Sequence, residues 1–240
     1  MPPEIGGNKR APVPRLTVLS QADIKALGTF FSRWGKLLYP VLVPGGHIFI
    51  ATHPILAHIV FDALDEAGFE KRAEIVRLVR TLRGGDRPKN AENEFADVCV
   101  MPRSCWEPWG LFRKPLEGRV QDNLRKWKTG GLRRNPDGTP FPDVIPSGRT
   151  PKKEKKIAPH PSLKPQKFLR QLVWASLPLE EGAILDTFMG SGSTLAACEA
   201  LGYPSIGIEI DDEYYAMAQD TIPLLAKLEV KWQMGSSSSR

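Results

Sequence analysis

Several features that would fix the class of this 240-residue chain at once are missing from it. It has no run of about 18 apolar residues, so no transmembrane helix is expected. Its first twenty residues carry Pro2, Pro3, Pro12 and Pro14 and no apolar core, so they do not read as a secretory leader. Cysteine is scarce: Cys99, Cys105 and Cys198 are the only three, and no two have Cys-x-x-Cys spacing. Neither a disulfide framework nor a metal site is expected, and the thiols read as buried and reduced in a cytoplasmic protein. No internal repeat is present.

Charge is present, and it is unevenly spread. The formal net charge of +6 divides into +2 for residues 1–102, +11 for 103–170 and −7 for 171–240. A basic middle beside an acidic C-terminal third implies a polyanion held by the middle segment. Hydrophobic residues make up 41% of the chain, enough to bury a core.

The apolar spacing predicts an α/β order. Ser20 and Asp23 form a capping-box start for a helix whose Ile24, Leu27, Phe31, Trp34 and Leu38 share a face. His47–Ala51 reads as a buried strand, Pro54 opens a second helix that Gly68 stops, and strands are predicted at Arg72–Arg80 and Asp97–Met101. Periodicity fades over 103–158, where Trp106, Trp109, Phe112 and Trp127 lie among basic residues. Residues 129–156, ending in a Lys-Lys-Glu-Lys-Lys run, read as its most mobile part. Beyond Leu163 a helix over 168–177, a strand at Ala183–Asp186, a helix at Ser193–Leu201, a strand at Ser205–Ile210 and a helix at Tyr214–Leu228 follow. The expected fold is a doubly wound, mostly parallel α/β sheet with an antiparallel edge hairpin and a basic irregular insert. The expected divisions are 1–102, an insert at 103–158, 159–234 and a flexible tail at 235–240.

The most informative stretch is Asp186-Thr187-Phe188-Met189-Gly190-Ser191-Gly192-Ser193-Thr194, between a strand and a helix. Glycines there let a ligand approach the backbone and leave N–H groups facing it. Glu209 ends the next strand, placed to accept from a ribose diol. No Gly-Lys-Ser/Thr follows, which excludes a P-loop. The third glycine of a dinucleotide turn would fall at Leu195, which disfavours a nicotinamide-dependent oxidoreductase. The features describe a site for an adenosine-bearing cofactor.

These residues resemble the Asp-Pro-Phe-x-Gly-x-Gly-Thr/Ser loop of the DNA amino-methyltransferases, with Thr187 in place of the proline. His160-Pro161-Ser162-Leu163-Lys164-Pro165 resembles their His-Pro-x-x-Lys-Pro segment, Gly207-Ile208-Glu209-Ile210 with Tyr214 their Gly-x-Glu…Tyr segment, and Pro44–Ile50 their Pro-Gly-Gly strand. The order is that of the circularly permuted β-type. The resemblance implies a Rossmann-like methyltransferase of a restriction–modification or epigenetic system. Such an enzyme uses S-adenosylmethionine to methylate adenine N6 or cytosine N4 of a flipped base in double-stranded DNA. By that likeness Asp186, Phe188, Gly190 and Gly192 line the cofactor, Thr194 caps the following helix near the carboxylate, Glu209 holds the ribose, and His160 and Lys164 close the methionine side. In the basic middle, Arg113, Lys114, Arg119, Arg125, Lys126, Arg133 and Arg134 are the expected DNA contacts.

One family feature has no counterpart. The Asp/Asn/Ser-Pro-Pro-aromatic motif, which orients the amine and stacks on the base, is absent; the nearest string is Met1-Pro2-Pro3-Glu4. The catalytic residues are therefore unassigned. The expectation is that an N-terminal segment or a second chain completes the sheet, and that this chain alone does not methylate DNA. The alternative is a non-catalytic DNA-binding remnant of the fold.

Overall fold

A computed structural model of the chain describes residues 20–79, 87–100 and 102–230. The Pro/Gly-rich first residues, the 235–240 tail, Arg80, Met101 and the Met1–Glu4 string lie outside them. Ser20 and Asp23 form the predicted reciprocal cap of α1 (Gln21–Leu38), and β1 (His47–Ala51) follows. A 3-10 turn at Pro54–Leu56 leads into α2 (Ala57–Glu66), then β2 (Glu70–Leu78) and β3 (Trp106–Arg113). Next come α3 (Val120–Trp127), β4 (Val144–Pro146), α4 (Lys152–Ile157) and α5 (Gln166–Ser176). The series ends with β5 (Ile184–Asp186), α6 (Ser193–Leu201), β6 (Ser205–Gly207) and α7 (Asp212–Ala226). Among the described residues no helix is long and apolar enough to cross a membrane.

The strand predicted at Asp97–Met101 is corrected: Asp97–Val100 is irregular, and Val98 and Val100 are exposed. The strand is Trp106–Arg113 instead, which the sequence assigns to the insert. Pro108 and Gly110 hide it. Pro108 has no N–H to give, but β1 ends opposite Trp109, so only the Thr52 N–H beyond β1 reaches the Pro108 carbonyl. A Cβ at Gly110 would lie 2.6 Å from the Phe61 ring, so glycine is what lets that ring close on the strand. The expectation of an irregular insert at 103–158 is corrected too, since β3, α3, β4 and α4 fall within it.

The sheet order is β1-β3-β2-β4, with β3 antiparallel to both neighbours and β4 parallel to β2; β5 and β6 form a separate parallel pair. Every strand except β3 therefore shares a direction within its sheet. Alternating side chains feed two cores, as a strand buried on both faces requires. Ile48, Ile50 and Phe112 pack with α1 and α2, while Ile75, Leu111 and Ile145 pack with Phe168, Leu172 and Ala197 of α5 and α6. Leu185 of β5 joins the first core and Ile184 the second, so both sheets lie in one layer.

The layer has two edges. Thr129 donates to the Pro44 carbonyl just before β1, and Arg133 reaches Tyr203 before β6 and Glu180 before β5. Residues 129–133 thus run along the starting ends of these strands, the lower edge. The strands finish on the opposite, upper edge, where α/β folds bind ligands.

Candidate functional site

The upper edge at β5 and β6 is shaped by the glycine turn. Gly190 and Gly192 both have positive φ, at 52° and 76°. A Cβ on Gly190 would lie 2.9 Å from the His160 ring, so only glycine fits beneath that histidine. Glu209 locks the turn: its Oε2 accepts the Gly190 N–H at 2.8 Å, and its Oε1 accepts those of Ile210 and Asp211. Asp186 Oδ1 accepts the Phe188 N–H at 3.0 Å. Gly192 is the N-cap of α6, and no side chain caps that helix. The capping role expected of Thr194 is therefore corrected; Thr194 lies inside the first turn.

His160 is held from both sides. Its Nδ1 accepts the Ser162 N–H at 3.2 Å, and its ring meets Tyr214 edge to face at 4.4 Å. Burial lowers its pKa, more than the Glu209 and Asp211 carboxylates raise it, so the ring is neutral at neutral pH. Lys164, four residues on, carries its ammonium to Glu107 on β3 and lies 5.8 Å from the Trp109 ring. Glu107 also accepts from Arg77 at 2.6 Å, and Arg77 donates to Ser147 and Gly148 after β4. His160 thus lies against the glycine turn, while Lys164 ties its segment to the neighbouring strands.

Sequence reasoning missed three groups here. Phe30, Phe31 and Trp34 of α1 surround Phe188, whose ring is 54% exposed, and the Trp34 indole donates to Thr187. The helical spacing assigned Phe31 and Trp34 to the core face. Ser191 Oγ is buried with no hydrogen-bond partner. Gln166 is fully buried, taking Glu154 Oε2 on its N–H and donating to the Ser193 carbonyl. Nothing in the local sequence marks these two.

The residues expected to contact DNA lie together, on the lower edge. Two are tied into the fold itself. Arg113 is only 7% exposed, and its guanidinium donates to Glu70 and to the Gly130 carbonyl. Lys114 donates to the Tyr39 and Leu42 carbonyls at 2.8 Å. Arg133 stacks 3.4 Å over the Trp174 ring and pairs with Glu180. Arg119 and Arg125 share Asp122, Lys126 pairs with Glu117, and Arg134 donates to the Gly138 carbonyl. The expectation of buried thiols is corrected for Cys99 and Cys105, which are exposed; Cys198 is buried, and burial pushes its thiol to about 12.

Comparison with known proteins gives a consistent result. The family model for N6/N4 methyltransferases, described as DNA methylase, matches residues 20–220. The Type II methyltransferase M2.LlaDCHI of Lactococcus lactis subsp. cremoris is 39% identical over 193 residues, covering 79% of this chain and 65% of that protein. M.HindIII of Haemophilus influenzae is 27% identical over 207 residues, covering 77% and 65%. The chain thus spans a little under two thirds of each of these relatives. Among solved structures, the M1.HpyAVI–SAM complex superposes with a TM-score of 0.56 at 20% identity, over 81% of this chain and 83% of that one. The cytosine-N4-specific PvuII DNA methyltransferase gives 0.60 at 14%, over 88% and 74%. These two establish the shared fold.

Proposed function

The chain belongs to the DNA methylase family whose model it matches, and from that premise we propose that it acts in site-specific DNA methylation. The reaction proposed is transfer from S-adenosylmethionine to an exocyclic amine, adenine N6 or cytosine N4, of a base turned out of double-stranded DNA. The observation that carries this reading is the Gly190–Gly192 turn, locked by Glu209 and covered by His160.

The residues of the turn fit such a cofactor. When bound, it supplies a methyl group activated on a positively charged sulfur. Glu209 Oε2 accepts one N–H only, so it retains a lone pair for a ribose hydroxyl. Asp186 Oδ2 and the exposed face of Phe188 adjoin the same turn. Ser191 Oγ is a buried donor with no protein partner, which suits a polar ligand group. His160, kept neutral by burial, covers the turn without adding charge that would repel a sulfonium.

The amine-orienting motif has no counterpart in residues 20–230, and we place it on a further strand between β1 and β5. Even-numbered residues of β1 face β3, as the flanking bonds from Lys114 N–H to Gly46 and from Thr52 N–H to Pro108 require. His47, Phe49 and Ala51 therefore turn their backbone groups to the other side, where β1 has no neighbour among the described strands. β5 likewise has one paired edge, and its side chains share both cores with β1. A strand laid between them would satisfy both rows. It would come from polypeptide other than residues 20–230, in the same protein or a second chain.

Calorimetry with S-adenosylmethionine and a labelled-methyl transfer assay on duplex DNA test the two parts separately. The expected result is saturable cofactor binding, lost in Glu209→Ala, and no transfer by the 240-residue chain. Absence of cofactor binding would sink the reading of the turn. Transfer by this chain alone would sink the added strand. The missing motif also favours a second reading, a DNA-binding remnant without catalysis, and DNA binding without cofactor binding would select it.

A further inference from the structure

We infer that the phosphate-contacting surface of this protein is the outward side of α4, carrying Lys152, Lys153, Lys155 and Lys156, and not the basic cluster at 113–134. The inference rests on the proposal that duplex DNA is the substrate, and it names the surface that holds it.

Position comes first. The α4 segment leaves the end of β4 and leads directly into Ala158-Pro159-His160, so it is tied to the upper edge at both ends. Thr150 donates to the Leu163 carbonyl at 2.6 Å, and Glu154 accepts the Gln166 N–H at 3.0 Å. Ala158 and Leu163 are buried against Ala196 and Leu225. The helix is therefore docked beside the glycine turn. The 113–134 cluster lies at the opposite ends of the strands, a full strand length from the turn.

Charge comes second. Glu154, the only acid of α4, faces inward and is buried, while all four lysines are exposed. Burial raises the pKa of Glu154, and its partners are the Gln166 N–H and the Arg170 charge, both on α5. None of the four ammonium groups is in an ion pair with the described residues. On the lower edge, Arg113, Arg119, Arg125, Lys126 and Arg133 each have a carboxylate partner. Four unpaired cations on about one and a half turns of helix make a strong local positive potential, and the phosphodiester backbone is the polyanion it fits. Beside it, a cavity of about 440 Å³ opens at the ends of β2 and β4, lined by Leu78, Val79, Cys105 and Pro146–Arg149. It gives a base edge or sugar room next to the lysines.

The test compares two neutralised sets by fluorescence anisotropy on a duplex oligonucleotide across a salt series. One is K152Q/K153Q/K155Q/K156Q, the other R119Q/R125Q/K126Q. If all four lysines contact phosphates, the first set flattens the log–log salt slope by about 3.6 and raises Kd at least tenfold at low salt. The second set changes Kd less than about twofold. The half-sets K152Q/K153Q and K155Q/K156Q should each give about half the change in slope, and cofactor affinity should stay at the wild-type value throughout. Larger losses in the lower-edge set, or an unchanged slope in the lysine set, would overturn the inference while leaving DNA binding intact. Cofactor binding by the wild type without any DNA binding would overturn the substrate reading together with it.

Discussion

The two edges of the sheet use the same residue types to opposite ends. On the lower edge, most of the charged groups are held by partners within the fold, some buried and some at the surface. Arg113 bridges Glu70 and the Gly130 carbonyl, and Asn123 is 0% exposed, bonded to Pro44, Thr129 and Glu117. On the upper edge, polar groups are left with spare capacity: the second lone pair of Glu209 Oε2, the lone Ser191 hydroxyl, the lysines of α4. Basicity by itself therefore says little about ligand binding. A cation whose partners lie within the fold belongs to its frame, and one without partners remains available to a ligand.

The largest expected effect tests the lower edge as frame. Arg113→Met takes the donor from the Gly130 carbonyl and leaves Glu70 with the Arg72 charge alone, at 3.8 Å. Breaking a buried pair by removing one partner costs about 3–5 kcal/mol, and the part-exposed Glu70 places this case near about 3 kcal/mol. Denaturant melts would read it. DNA and cofactor affinity of the folded fraction should not change, and a DNA-specific loss without a stability loss would break the comparison.

Next in size is a pH effect on the same edge. His47, at the start of β1, is held to about 4 by burial first and then by the Arg113 and Arg72 charges. The unfolded chain takes up this proton near 6.5, the folded chain only near 4, so acid favours unfolding between those values. Stability should be complete above pH 6.5 and fall by roughly 2–3 kcal/mol on the way to pH 4. Chemical denaturation of His47→Phe across this range should lack that component; an identical pH profile would show that His47 is not its source.

The upper edge should respond in the opposite manner. Gly190→Ala places a Cβ against the His160 ring at a backbone φ of 52°. Strain of about 1–3 kcal/mol falls on the turn itself, so cofactor affinity should drop at least about tenfold by calorimetry. If Gly190→Ala lowers the melting midpoint while binding is retained, the turn is frame like the lower edge, and the contrast fails.

This contrast also marks what the sequence can and cannot reveal. The bounds of β1 and α6, and the placing of Glu209 beside the Gly190 turn, were legible because strand alternation, helix period and a 19-residue loop-to-acid spacing are local patterns. β3 was not, because Pro108 and Gly110 interrupt its pattern, and their compensation comes from β1 and Phe61 in other elements. The fold-internal partners of Arg113 and Arg133 were hidden for the same reason. Their carboxylate partners, Glu70 and Glu180, are 43 and 47 residues away, outside the segment. The lysines of α4 show the converse. Their run read as a mobile stretch, because the groups that fix the helix and turn the lysines out, Glu154 bonded to a backbone N–H twelve residues on and Ala158 buried against α6 and α7, act through distant segments.

The smallest predicted effect sharpens the comparison within the lower edge. Arg133 and Arg125 are both paired with a carboxylate, but their side chains are 20% and 75% exposed. Arg133 also covers the Trp174 ring and donates to the Tyr203 hydroxyl. Its guanidinium is stacked and part-shielded, so Arg133→Gln should cost about 1–2 kcal/mol. Arg125 faces water, where solvent screens the pair and ordering two side chains offsets the attraction. Arg125→Gln should therefore cost less than about 0.5 kcal/mol, and raising salt should erase the difference from wild type. Equal costs for the two variants would mean that counter-charge alone, and not burial of the pair, decides which cations belong to the frame.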